Sequence, residues 1–360
     1  MTVAVPVIVT SRPRTSTAPT ALVFQRLRLD THALGEAGLG GRLFGSVKSS
    51  PPPHLAAAGM AVLPMELLAP EGMVLDAWSG GAECVMREHG CVRYATDGHW
   101  LHGCAEVDEA QCQGGLQSAS QRAYADLFAV LAASASPHLL RLWNHFADMN
   151  LETGGIERYR QFNAGRQQAF TEAGRSAFEG APAACALGTA SGPLRVYFLA
   201  GPQAPLAIEN PRQVSAYHYP ERYGPRSPTF SRAALAGAGR GYRMLFISGT
   251  ASIIGHATVH VGDVWRQTEE SLANIAALLD VAASPARMAV PLQDLIFTIY
   301  LRHASDLGAV RDVFERQVGA HSAAARDAVY LRADICRADL LVEIEAHGHV
   351  RAPSRTADPS

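Results

Sequence analysis

No apolar run in the 360-residue sequence reaches the ~20 residues a membrane-spanning helix needs, which excludes a helical membrane protein as the reading. A large excess of one charge is also absent. The formal net charge is −2, so no basic field draws the chain to nucleic acid or to an anionic membrane. Lysine is scarce and arginine carries most of the positive charge, which supplies forked guanidinium donors suited to carboxylate ligands. The opening MTVAVPVIVTSRPRTSTAPT lacks a basic n-region, and proline interrupts its short apolar run. Residues 1–20 therefore read as a disordered tail rather than a signal peptide. The six cysteines are scattered, and with no export signal they imply reduced thiols and a cytoplasmic protein.

Several motifs are missing as well. The glycines of GHATVHVGD and GAGRGYR form neither a dinucleotide fingerprint nor a P-loop, which disfavours nucleotide binding. There is no G-x-S-x-G nucleophile elbow. Cys84, His89, Cys91, His99, His102, Cys104 and Cys112 invite a zinc reading, but they lack the close Cys pairs of structural zinc sites, so no metal is expected.

What remains is a globular composition, 48% hydrophobic and 18% charged, long enough for two domains. Pro, Gly and Ser clusters mark loops at 49–54, 179–185 and 223–228. A weak internal repeat organises the rest. In the second half, a strand over 242–253 leads to a helix over 262–282 with an apolar stripe of Leu272, Ile275, Leu278 and Leu279. A strand over 295–302, a helix over 306–318 and strands over 328–334 and 340–348 follow. In the first half, strand residues within 90–107 precede a helix over 116–133, a strand over 138–147, a helix over 158–173 and a strand over 193–201. This order predicts an α+β protein of two domains, 21–190 and 191–350, each a mixed sheet with helices packed on one face. Residues 351–360 read as a second tail. A cleft between the domains is the expected ligand site.

The last strand, LLVEIEAHG (340–348), puts Glu343 and Glu345 on one face and Val342, Ile344 and Ala346 on the other. Either the glutamate face is solvated and Cys336 is a small core residue, or Glu343 sits in a pocket with a raised pKa and moves a proton. Tyr159 and Arg166 lie seven apart on one helix, hence on one face. Tyr217, Tyr219 and Tyr223 stand with Arg222, Arg226 and Arg232 in SAYHYPERYGPRSPTFSRA (215–233), and Arg302 ends a strand. Such arginines are either ordinary surface residues or, with the phenols, a carboxylate-binding set.

The stretch FISGTASIIGHATVHVGDVWRQTEESLANIAALL, with FTIYLR and LLVEIEA, resembles the RidA-like (YjgF-like) domain, whose fold is chorismate-mutase-like. LRLWNHFADMN, ERYRQFNAGRQQAF, NPRQVSAYHYPERYGPRSPTFSRA and SGTASIIGH, in that order, resemble the chorismatases from about residue 70 to 348. The resemblance implies chorismate as substrate, pyruvate as a product and no cofactor. It implies Glu343 as the essential acid, with Tyr159, Arg166, Tyr217, Arg232 and, less directly, Arg302 at the substrate. Cys336 and Gly249 occupy positions that the 3-hydroxybenzoate-forming subtype carries, which favours that product while leaving a 4-hydroxybenzoate by-product open. Cys336 is expected to position or deprotonate the ring intermediate, and Gly249 to leave space for it. Hydrolysis to a dihydrodiol acid, a RidA-type imine or enamine deaminase and a non-catalytic ligand-binding member are the competing readings. The first half argues against a deaminase, which is a short single domain. Either a monomer or a homotrimer fits the resemblance, with no nucleic-acid or membrane partner.

Overall fold

The computed structural model describes residues 21–29, 38–46, 49–52, 55, 60–81, 83–286 and 290–351. The tails read at 1–20 and 351–360 fall outside these residues, except that the backbone of Arg351 closes the last strand. Strands Val23–Leu29 (β1), Gly40–Gly45 (β2), Val62–Ala69 (β3) and Met73–Ser79 (β4) come first. A second group contains Val85–His89 (β5), Val92–Thr96 (β6), Leu101–Val107 (β7), helix Gly115–Ala132 (α1) and His138–Ala147 (β8). It continues through the short pair Glu152–Thr153 (β9) and Ile156–Glu157 (β10), helix Arg158–Glu172 (α2), Ala183–Thr189 (β11) and Leu194–Gly201 (β12). The third group is Leu206–Ile208 (β13), Ala233–Gly239 (β14), Tyr242–Ala251 (β15), the short pair Ile253–Ile254 (β16) and Ala257–Thr258 (β17), and helix Val264–Ala286 (α3). Ile296–Leu301 (β18), helices Leu307–Val318 (α4) and Ala323–Asp327 (α5), Val329–Arg332 (β19) and Val342–Arg351 (β20) complete it.

Among the described residues these strands form two large mixed sheets. One has ten strands in the order β1-β4-β2-β3-β19-β18-β20-β15-β14-β13; the other has six, in the order β11-β8-β12-β7-β6-β5. Helices α1 and α2 bury Leu127, Phe128, Phe162 and Phe170 against Leu142, Phe146 and Val196 of the six-stranded sheet. Helices α3 and α4 bury Leu272, Ile275, Val313 and Phe314 against Ile247, Ile299, Val342 and Ile344 of the ten-stranded sheet. The opposite faces of the two sheets meet in a third core, which joins Phe44, Trp78, Phe246 and Leu331 of one to Trp143, Tyr197 and Leu199 of the other. The molecule is thus layered helix, sheet, sheet, helix. This agrees with the α+β expectation of mixed sheets with helices on one face.

The division between the sheets does not fall at 190/191. β12 lies in the middle of the six-stranded sheet, while β1 to β4 extend the ten-stranded sheet through the antiparallel pairing of β3 with β19. Sheet membership therefore follows hydrogen-bonding between segments more than 250 residues apart, which leaves no local signature. Residues 183–185, read as loop, begin β11, which runs parallel to β8. Its Ala-rich sequence AACALGT lacks the bulky alternation that marks a strand. Among the described residues no helix is long and apolar enough to cross a membrane.

Between the sheets runs a chain of buried ions. Arg26 grips Asp76 through two bonds of 2.6 and 2.8 Å. Arg42 spans from Asp76 at 3.3 Å to Glu345 at 2.9 Å, and Arg141 of the other sheet reaches Glu345 at 2.6 Å. Burial pushes the Asp76 carboxyl up, but Arg26 and Arg42 outweigh it and hold the group below its usual range. Replacing Asp76 by Asn leaves Arg26 buried without its counter-charge and Arg42 with Glu345 alone, which it shares with Arg141. The expected loss is about 3 to 5 kcal/mol, read as a lower urea midpoint.

Candidate active site

A cavity of about 360 Å3 opens at the seam between the two sheets. Glu343 enters it from β20, Gly249 from β15 and Cys185 from β11. Helix α2 supplies Tyr159 and Arg166, two turns apart on one face. The 215–233 loop supplies Tyr219, Arg222, Tyr223 and Arg232, and the segment after β19 supplies Cys336 and Arg337.

Glu343 is only 4% exposed and makes no hydrogen bond or ion pair among the described residues. Burial, reinforced by the neighbouring Glu345 charge, pushes its carboxyl up to about 8. The group is therefore largely protonated at neutral pH. Glu345, two residues along the same strand face, behaves in the opposite way. Burial raises it, but Arg42 and Arg141 outweigh burial and hold it well below the usual carboxylate range, and the Tyr300 hydroxyl donates to it at 2.9 Å. The Cys336 thiol is pushed up to about 12 by burial and by Glu343, so it stays neutral. Gly249 packs directly on the acid: a Cβ there would stand 1.9 Å from Glu343 Oε1 and 3.1 Å from Cys185 Cβ.

The wall opposite Glu343 is rich in guanidinium. Arg166 donates to the Thr229 carbonyl and lies over the rings of Tyr124, Phe162 and Phe170, at 5.4 to 5.8 Å. Arg232 donates to Val214 O at 2.9 Å and to the Tyr219 hydroxyl at 2.7 Å. Arg337 donates to His256 O at 2.9 Å and stacks 4.1 Å from the Tyr223 ring. These contacts fix each side chain yet leave donors over: Nη1 of Arg166 and Nη1 of Arg232 make no hydrogen bond among the described residues. Fixed guanidinium N–H groups with spare donors, around a neutral carboxyl, suit a small anion carrying more than one carboxylate.

Glu343, Cys336, Tyr159, Arg166, Arg232 and Gly249, each expected from the sequence, line this cavity together. Tyr217 does not. It is buried in the short 3-10 turn Ala216–His218 with its ring edge-on to His218, and Tyr219 and Tyr223 provide the phenol wall instead. Arg302 also stands outside the cavity. Its guanidinium is saturated by Asn150 Oδ1, Asp334 Oδ1 and the carbonyls of Ile335, Arg337 and Leu340. It clamps the segment that presents Cys336 and Arg337, leaving no donor for a ligand. Sequence reading missed Arg337, although it adjoins Cys336, and Cys185, which sits in a stretch read as loop.

Three comparisons bear on these residues. Residues 76–200 match the family model described as "Chorismatase FkbO/Hyg5-like, N-terminal". The chain is 37% identical over 300 residues to a 3-hydroxybenzoate synthase of Streptomyces hygroscopicus, covering 80% of this chain and 85% of that protein. It is 36% identical over 278 residues to a chorismatase of Streptomyces rapamycinicus, covering 75% and 80%. A crystal structure of a chorismatase superposes with a TM-score of 0.79 at 29% identity, covering 92% of this chain and all of that one.

Gly249→Ala would drive a methyl into the Glu343 carboxyl. We expect about a tenfold or greater loss of kcat/KM from the displaced acid, with far-UV circular dichroism unchanged. Wild-type kinetics in this variant would show that the contact does not constrain Glu343.

Proposed function

This chain belongs to the chorismatase family, and from that premise we propose that the Glu343 cavity converts chorismate to 3-hydroxybenzoate and pyruvate. The observation that carries the reading is a buried carboxyl with no ion-pair partner, held neutral at the bottom of a guanidinium-lined cavity. Chorismate offers two carboxylates, one on the ring and one on the enolpyruvyl arm. The unused Nη1 groups of Arg166 and Arg232, with the Arg337 charge on the same wall, match such a dianion and would hold it in one orientation.

Glu343 then delivers its proton to the methylene carbon of the enol ether, leaving an oxocarbenium-like centre on the arm. The ring C4 hydroxyl oxygen attacks C3, the C3–O bond breaks, and pyruvate departs as the keto acid. The hydroxyl proton returns to the Glu343 carboxylate. Opening of the resulting ring epoxide at C4, with loss of the C3 hydrogen, aromatises the ring and leaves oxygen at C3. Opening at C3 with loss of the C4 hydrogen gives 4-hydroxybenzoate instead. The products contain together the atoms of chorismate, so no water is consumed. A neutral Cys336 thiol is a poor base, which supports a positioning role beside the ring over deprotonation. Cys336 and Gly249 support the 3-hydroxybenzoate outcome over the dihydrodiol, as does the likeness to a 3-hydroxybenzoate synthase.

Purified protein mixed with chorismate should give 3-hydroxybenzoate as the main aromatic product by chromatography, with pyruvate equal to the sum of the hydroxybenzoates. A dihydrodiol acid as the main product, or no pyruvate at all, would overturn the assignment. Glu343→Gln should cut turnover by a factor of about 100 to 10,000. Because the acid must hold its proton, wild-type kcat/KM should fall as pH rises through about 8. The stability effect has a definite sign. Between the ordinary value of 4.5 and the folded value of about 8, the native chain binds a proton that the unfolded chain releases, so stability declines as pH rises across that window. Glu343→Gln should therefore melt higher than wild type at pH 8, with the gap closing toward pH 5. Cys336→Ala should change the ratio of 3- to 4-hydroxybenzoate, and an unaltered ratio would remove Cys336 from product control.

A further inference from the structure

Two carboxylates share one buried face of β20, two positions apart, and only one of them is paired. Glu345 is held by Arg42 at 2.9 Å, by Arg141 at 2.6 Å and by the Tyr300 hydroxyl at 2.9 Å. Glu343 has none of these partners. The groups that bear on Glu343 come from every element around it: Glu345 beside it on β20, Arg141 on β8, Cys185 on β11, Arg232 ahead of β14, and Cys336 with Arg337 after β19. Tyr159 and Arg166 face it from α2. Around Glu345, His145 and His347 are pushed down to about 3 by burial, so neither imidazole neutralises its charge.

Resting on the reading of Glu343 as the acid, we propose that Glu345 is the positioning residue for the catalytic proton: fixed as an anion by Arg42 and Arg141, it keeps the Glu343 carboxyl protonated. Two features of the geometry carry this. First, two charges cannot both be held cheaply on neighbouring positions of one dry strand face, and the arginines decide which site keeps its charge. Second, Arg141, the cation that reaches across from the six-stranded sheet, spends its Nη2 on Glu345 at 2.6 Å and makes no bond to Glu343. Its charge favours the Glu343 anion, but the Glu345 charge on the same strand face outweighs that pull. The indole of Trp143 helps to fix this arrangement, with the Arg42 and Arg141 guanidinium carbons 4.6 and 5.4 Å from its ring centroid. A purely structural Glu345 would join the sheets without affecting the proton two positions away.

The test is the basic limb of the kcat/KM profile with chorismate. In Glu345→Gln the like charge disappears and Arg141 is released toward Glu343. The limb should move down by about one to two pH units, so that the optimum becomes more acid. Glu345→Gln leaves two buried cations in excess, so the double variant Glu345→Gln/Arg42→Gln, which removes one charge of each sign, carries the test should the single variant fold poorly. Arg42 makes no bond to Glu343, so the double variant should shift the limb in the same direction, by less where the lost Arg42 charge offsets the change. Glu345→Asp keeps the charge, and its limb should stay near the wild-type position. If wild type shows the limb and it stays in place in both Gln variants, the proposal is overturned while the role of Glu343 stands. A wild-type profile flat through pH 8 overturns the acid role itself, and this proposal with it.

Discussion

The contact on which the rest depends is Arg42–Glu345–Arg141. It is made by three residues from different parts of the chain, and it does two jobs at once. Mechanically it is an ion bridge between the two sheets, one arginine from each, closed on a carboxylate 4% exposed to solvent. Electrostatically it sorts the two glutamates of β20 into an anion and a neutral acid. In a low-dielectric space the local partners outweigh the common chemistry of the two side chains, so identical residues two positions apart reach opposite protonation states.

The same bridge shapes the cavity beside it. The sheets meet along a tightly packed aromatic seam, and the cavity lies where that seam gives way to the 215–233 loop and the segment after β19. Arg166, Arg232 and Arg337 are each pinned by aromatic faces and by backbone carbonyls, so the donors they have left are held in place before any ligand arrives. Preorganisation of this kind lowers the reorganisation needed at the moment of reaction. Arg302 extends the principle outward. Its guanidinium lies outside the cavity, but four of its five bonds hold the segment that carries Cys336 and Arg337, and the fifth ties that segment to Asn150.

Helices and long apolar strands were legible in the sequence because their periodicity is local. The stripe Leu272, Ile275, Leu278, Leu279 is buried against the sheet as its spacing implies, and 138–147 and 158–173 form β8 and α2 nearly to the residue. What local pattern left illegible has a common cause. β11 is small-residue sequence without alternation, and it becomes a strand only because β8 lies beside it. The grouping of β1 to β4 with the far end of the chain depends on the β3–β19 pairing. Tyr217 and Tyr219 stand two residues apart in one loop, and a single 3-10 turn decides which of them reaches the cavity. Arg302 ends its strand as a ligand-binding arginine would, and only the path of residues 334–340 shows that its donors are already used.

By itself, the sequence determined the α+β class, the alternation that puts Glu343 and Glu345 on one face of a strand, and the supply of arginines able to hold a dianion. Those are consequences of composition and of backbone period, which act over a few residues. Which glutamate keeps its proton was decided by tertiary structure alone. Protonation follows from burial and from charges a few ångströms away, and the charges that matter here, Arg42 and Arg141, lie about 200 to 300 residues from Glu345 along the chain.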